Sequence, residues 1–171
     1  MLNDCPSLKD FSDETFLEER GSRGFQGLDM VLLSRIRLAQ GLLDESLRLT
    51  SKALTFRRGC LGEHLKVCDS LYDVARLHSL KQNTEQAVQL LEDCIKISGN
   101  LPQIEGIGHQ ARANYKLSLI LRDSRNEEES MVYLDRAVLL RESFYRINGS
   151  GTAENRDASG SEKLVPWMLW W

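Results

Sequence analysis

One small helical pattern recurs three times along this chain, at offsets of 41 and then 43 residues. Leu33, Val74 and Leu117 hold one repeat position, and Ala53, Cys94 and Ala137 hold another. Small residues return at two further places: Ser34, Ala75 and Ser118, then Ser46, Ala87 and Ser130. Small side chains at fixed places let two helices approach closely. Self-similarity at a fixed period of this length specifies stacked units in place of a single irregular core.

Apolar residues within each unit follow helical spacing. The first helix of unit one carries Leu28, Leu32, Leu33, Ile36 and Ala39, and the second carries Leu43, Leu47, Ala53, Leu54 and Phe56. Unit two repeats this with Leu65, Cys68, Leu71, Tyr72 and Ala75, then Val88, Leu90, Leu91 and Ile95. In unit three the stripes are Ala111, Tyr115, Leu117 and Ile120, then Met131, Leu134, Ala137, Val138 and Phe144.

Gly41 is placed to close a helix, because glycine takes the left-handed conformation without penalty. Gly59 and Gly62 are read as the end of the next helix. Asn83 with Gln86, and Asn126 with Glu129, have the spacing of capping boxes. The expected units are 28–62, 63–106 and 107–147, preceded by a lead-in over 1–27 and followed by a flexible Gly/Ser/Asn linker over 148–161. A tail over 162–171 holds all three tryptophans. The lead-in, with Phe11, Phe16 and Leu17 among acids, is expected to cover the first unit, because stacked arrays need capped ends.

Composition narrows the function classes. The chain has 22 basic and 25 acidic residues, a net charge of −3, which supplies no footprint for nucleic acid. Arg57-Arg58 is too short for one. No apolar run reaches the ~18 residues of a membrane span. The N-terminus lacks the basic and apolar regions of a signal peptide, and no cysteine pair is spaced as CxxC, so a reduced, cytoplasmic setting is the expectation. Cys94 falls at a small-residue packing position and reads as a buried thiol.

The candidate chemical sites are weak. Cys60, His64 and Cys68 are spaced by four, but the intervening glycines split the run, and no fourth ligand is evident. Gly21, Gly24 and Gly27 precede a helix without a preceding strand or a following Lys-Ser/Thr pair, so no phosphate loop is assigned. His64, His78 and His109 lie apart in the repeat scheme with no nucleophile beside them. The expectation is a non-enzyme without cofactor or metal.

The aligned units resemble tetratricopeptide repeats (TPR), helical hairpins with a small residue in each helix where the two cross. Gln40-Gly41-Leu42-Leu43-Asp44-Glu45-Ser46 and Gln82-Asn83-Thr84-Glu85-Gln86-Ala87 resemble that family's inter-helix turn. The period exceeds the usual ~34 residues by about two helical turns, which is similar to the kinesin-light-chain type. Leu61-Gly62-Glu63-His64, followed by Cys68 to Leu77, resembles that type's repeat start, with Leu65 where proline is common. The chain is also similar to the C-terminal part of large fungal TPR proteins, whose arrays end in a short acidic and aromatic tail. The resemblance implies an all-α, right-handed superhelical stack of about three hairpins.

The resemblance also implies that the first helices line a concave groove that takes a protein or peptide. In chaperone-binding members, basic residues at the places of Arg112 and Lys116 grip a peptide carboxylate. Their clamp further needs a lysine and two asparagines, where this chain has Val31, Arg35 and Asp73, so the full clamp is absent. Arg35 and Arg76 share a repeat position, and Arg112 and Lys116 lie one turn apart. These four are the expected contacts for an acidic peptide, with Tyr72 and Tyr115, also equivalent, as flat apolar surfaces. Asp69 and Asp73 interrupt this basic face.

The alternative function is an autoinhibited regulatory or sensor segment of a larger TPR and nucleotide-switch assembly, its tail lying in the groove. An enzyme with an unrecognised site is the alternative of another class. For the tryptophan tail three placements are open: on the end of the array, in a TPR groove, or on a membrane surface. Self-association through an open end completes the expected partner classes.

Overall fold

The three hairpin turns are built on one hydrogen-bond pattern. The computed structural model describes residues 27–148, which form six helices. These are α1 (Leu28–Ala39), α2 (Leu43–Leu61), α3 (Leu65–Leu80), α4 (Thr84–Asn100), α5 (Gln103–Asp123) and α6 (Glu127–Ile147). At the α1–α2 turn the amide of Leu42 donates to the Arg37 carbonyl and that of Gly41 to the Leu38 carbonyl. Asn83 to His78 with Gln82 to Ser79, and Asn126 to Leu121 with Arg125 to Arg122, repeat it. This is the Schellman arrangement, and its fifth residue must be left-handed. Gly41, Gln82 and Arg125 have φ of 77°, 61° and 61°. Gly41 thus closes α1 as expected, whereas the two later turns impose the same strained backbone on a glutamine and an arginine.

The same geometry corrects the capping boxes. Leu42, Asn83 and Asn126 are both the last residue of one turn and the N-cap of the next helix, and none of their side chains caps a backbone amide. The amide that a capping-box glutamate would reach is already spent on the preceding helix, and ψ near 70° turns the N-cap side chain away. The Asn126 side chain donates to the Glu129 carboxylate instead, and Asn83 turns toward His78. Among the described residues the one side-chain N-cap is at His64, whose Nδ1 accepts from the Lys66 amide at 3.1 Å and starts α3.

Above each turn the hairpin is closed by the small residues. Ser34 and Ser46, Ala75 and Ala87, Ser118 and Ser130 are buried at the three crossings. In the first hairpin Ser34 Oγ meets the Ser46 carbonyl at 2.9 Å and the hydroxyls of Ser46 and Thr50. In the third, Ser130 Oγ donates to the Ser118 carbonyl at 2.8 Å. The second crossing is alanine against alanine, which shows that the requirement is size, with polarity admitted where the hydroxyl finds a carbonyl.

Each helix packs on the next in order, and α3 also touches α5 directly. The stacking therefore alternates, with first helices forming one layer and second helices the other. The main apolar cluster lies in the middle, from Leu54 of α2 through Val67, Leu71 and Val74 of α3 to Leu117 and Leu121 of α5. Cys68 and Cys94 sit inside it, each thiol pointing at the other's carbonyl, at 3.9 and 3.4 Å. That hydrogen-bonded contact with Cys68, together with burial, pushes the Cys94 thiol well up and makes it inert.

One glycine and one helix start differ from expectation. Gly59 lies inside α2, which runs on until Gly62 turns left-handed at φ 63°. The third hairpin's first helix begins at Gln103, ahead of the position near 107 read from the stripe. Gly106 is inside this helix because α5 crosses the end of α4 there, and a methyl group on it would collide with the Ser98 carbonyl oxygen. The lead-in over 1–26 and the linker and tail beyond 148 lie outside the described residues.

Two outcomes test this account. Gly106→Ala would ordinarily stabilise a helix, yet here it should destabilise by ~2 kcal/mol in denaturant unfolding, the scale of overpacking a filled contact. Arg125→Gly should stabilise by ~0.5–1 kcal/mol, because it removes left-handed strain from a side-chain-bearing residue.

Candidate functional site

Helices α1, α3 and α5, adjacent through the α3–α5 contact and the hairpin stacking, carry all six residues expected in the groove. Their charges do not form an uninterrupted basic strip. Asp69 and Asp73, one turn apart on α3, make an acidic row, and cations reach it from the neighbouring helices. Arg35 on α1 places Nη2 3.7 Å from Asp73, with its own side chain 41% exposed. Arg112 on α5 places Nη2 2.8 Å from Asp69 Oδ1 and is only 12% exposed. His109, one turn earlier on α5 and 1% exposed, approaches the same Asp69 oxygen with Nε2 at 3.2 Å.

Burial alone would raise the Asp69 carboxyl, but the hydrogen bond with His109 and the charge of Arg112 outweigh it and hold the group below its ordinary value. Burial likewise opposes the Arg112 charge, and Asp69, Tyr72 and Asp73 lift it back above the usual arginine range. The Arg112 guanidinium lies 4.2 Å from the centroid of the Tyr72 ring, a cation–π contact inside a largely dry site. Tyr72 is therefore a buried platform for Arg112, whereas its equivalent Tyr115 is half-buried. Arg57, on α2 behind this row, is buried and donates to the Lys66 carbonyl at 3.1 Å and to Ser70 Oγ at 2.8 Å. Burial lowers its pKa, partly offset by Asp69 and Asp73.

The structure thus sorts the six residues. Arg112 and Tyr72 join Asp69 and His109 in a cluster that ties α3 to α5. Arg35 and Arg76 line one small pocket between α1 and α3, with Val31, Leu38, Asp73 and Leu77 at its walls and Ser34, Ser46 and Thr50 at its floor. Lys116 and Tyr115 are half-buried on α5. No ion pair is seen at Arg76 or Lys116 among the described residues. Asp69 and His109 are the members sequence reasoning did not bring in. One signal was available: Asp69 and Arg112 hold the same repeat position in successive units, so opposite charges there face each other across the α3–α5 contact.

Cys60, His64 and Cys68 are divided between the exposed end of α2, the N-cap of α3 and the core. No group of three metal-ligating side chains occurs among the described residues, and no helix there is long and apolar enough to cross a membrane.

Removing the shared acceptor should expose how much this cluster holds. Asp69→Asn should cost about 3 kcal/mol, the scale of breaking a buried pair and leaving Arg112 uncompensated. A carboxyl held below its unfolded value stabilises fully above the unfolded pKa of about 3.9 and loses that contribution as pH falls through the folded one. The wild type should therefore lose stability more steeply than Asp69→Asn on acidification below about pH 4, read as thermal midpoint against pH.

Comparison with known proteins agrees with this architecture. Tetratricopeptide repeat family models match residues 30–99 and 111–144. Among solved structures, the chain is similar to a Podosopora anserina putative kinesin light chain with nearly identical TPR-like repeats. A single-substitution form of that protein is 17% identical with a TM-score of 0.63, over 80% of this chain and 63% of that one. A second structure, without the substitution, gives 18% identity and a TM-score of 0.61, over 78% of this chain and 60% of that one. MamA is 13% identical with a TM-score of 0.50, over 91% and 85% of the two chains. This chain spans under two thirds of the length of the kinesin-light-chain structures it resembles. A comparison with curated proteins finds no match. Six helices in three hairpins, closed by small residues at each crossing and matched by these repeat models over most of the described residues, make this chain a member of the tetratricopeptide repeat family, with long repeats whose fold is like that of the kinesin light chain.

Proposed function

We propose that this chain is a protein-interaction module that holds an acidic peptide or protein segment along the face of α1, α3 and α5. The observation that carries the reading is the set of cations on that face outside the Asp69 cluster: Arg35, exposed and held by a long contact to Asp73, Arg76 beside it, and Lys116 on α5. Arginine pairs with carboxylates through two parallel hydrogen bonds, and a partner carboxylate would compete with Asp73 for Arg35 at a long 3.7 Å contact. Tyr115 adds flat apolar surface next to Lys116. Arg112 supports the face from beneath by fixing α5 against α3, and its expected role as a direct contact passes to its neighbours.

The stack also suits this work physically. Three hairpins in series present an extended surface whose shape is set by the crossings and is independent of any one loop. Work of this kind needs no nucleophile or cofactor, and a scaffold or adaptor role follows from it.

The test is recovery of partners from cell extract with the full chain, compared with a variant carrying Arg35→Glu, Arg76→Glu and Lys116→Glu. Arg112 is left intact so that the fold is kept, which circular dichroism verifies. A partner captured by the wild type and lost from the variant, with wild-type binding that weakens at least tenfold between low and high salt, supports groove recognition. Equal capture by both proteins places binding elsewhere.

A further inference from the structure

The outer face of α6 departs from its own repeat. Arg48 and Gln89 are exposed on α2 and α4, and the third residue at that position is Val132, also exposed. Thr55 and Lys96 are exposed at another position, and the third residue there is Leu139, 63% exposed. Two places that face water as polar residues in the first two units are therefore apolar in the third. Met131 adds a different signal. Its equivalents Leu47 and Val88 pack against the main core, but Met131 is 60% exposed. Together with half-buried Val138 these residues make an apolar stripe along α6. Exposed carboxylates run through it at heptad spacing, Glu128, Asp135 and Glu142.

We propose that the tryptophan-rich segment Leu164–Trp171 of the same chain docks on this stripe. The segment offers six large apolar side chains besides Val165 and Pro166, and three of them are tryptophans. Each indole buries a large apolar area and retains one N–H that seeks an acceptor. A surface of Met, Val and Leu threaded with carboxylates supplies both. Lys163, just before the segment, is a cation for the same acidic row.

Reach favours this occupant. Fifteen residues separate Asn148 from Leu164. As a flexible coil they span roughly 20 Å, and their extended limit is ~50 Å. Along α6, Leu139 lies about 12 Å and Met131 about 24 Å from the helix C-terminus at 1.5 Å per residue. The segment thus turns back over the whole stripe without strain, and a tether of this length holds it at an effective concentration on the order of millimolar. A second copy of the chain would have to match that concentration to displace it.

The chain tests this directly, because its tryptophans all lie in the segment and their fluorescence reports on nothing else. The full-length protein should emit to the blue of the same protein in denaturant and resist acrylamide quenching, at every protein concentration. Val132→Gln with Leu139→Lys restores the residues of the second unit at those positions, so the fold should persist by circular dichroism. In that variant the emission should move to the denatured position and quenching should rise. Three results would each overturn the proposal. They are wild-type emission already at the denatured position, blue emission that vanishes on dilution and so belongs to a second copy, and a shift produced by Arg35→Glu with Arg76→Glu but not by the α6 variant, which assigns the segment to the groove.

Discussion

Close approach of two helices at a small-residue crossing is the condition on which this array depends. Side chains of ordinary size at Ser34, Ala75 and Ser118 would hold the partners apart and leave the Schellman turn without a geometry to close. With the crossing fixed, the turn has to reverse the chain within a few residues, and a left-handed residue does so. The turn is demanding enough that Gln82 and Arg125 accept it at φ 61°. Stability gained in packing along two whole helices outweighs one strained residue, so the sequence tolerates what local preference alone would reject.

Between hairpins the design is different. The α4–α5 crossing is so close that Gly106 faces the Ser98 carbonyl, and the adjacent Gln110 side chain donates to that same carbonyl at 3.2 Å. The α2–α3 interface uses a buried arginine, Arg57, bonded to a carbonyl and a serine. The α3–α5 contact uses a carboxylate shared by a histidine and an arginine. Each of these polar arrangements carries a desolvation cost, offset by the hydrogen bonds and ion pairs it makes, although Arg112 Nε has no hydrogen-bond partner among the described residues. Their variety means that the three units share a shape without sharing their contacts.

What could be read from sequence follows from this division. The crossings, the turn at Gly41, the buried Cys94 and the hairpin count were legible because the repeat forces them, and a constraint met three times rises above local noise. Gly59 and the two asparagine caps were misread because each was judged by residue preference alone. The Asn126 amide is committed to Leu121 in the preceding helix. Gly106 carried no signal at all, because it serves a contact with Ser98 in another helix. In the candidate site, the nearness of Arg35 to Arg76 was legible from their repeat equivalence. The commitment of Arg112 was not, since it depends on which helix lies across from α5. Asp69 was visible as an interruption of the basic face, and only the α3–α5 contact turns it into a partner.

That contact also favours α3 over α1 as the neighbour of α5. Position by position, Leu28, Asp69 and Arg112 are equivalent, so the three first helices differ most where their chemistry matters most. If α5 packed against α1 in place of α3, Arg112 would meet Leu28, and a guanidinium already 12% exposed would lose its carboxylate and its tyrosine platform together. An uncompensated buried charge costs several kcal/mol, enough to reject that arrangement against a few kcal/mol of net stability. Chain connectivity already sets which hairpin follows which, since two residues, Leu101 and Pro102, join α4 to α5. The pair of opposite charges at a shared repeat position adds chemical specificity to the contact that connectivity brings about. Arg35, Arg76 and Lys116 lie on helices held by that contact, and so inherit positions that the side chains themselves do not determine.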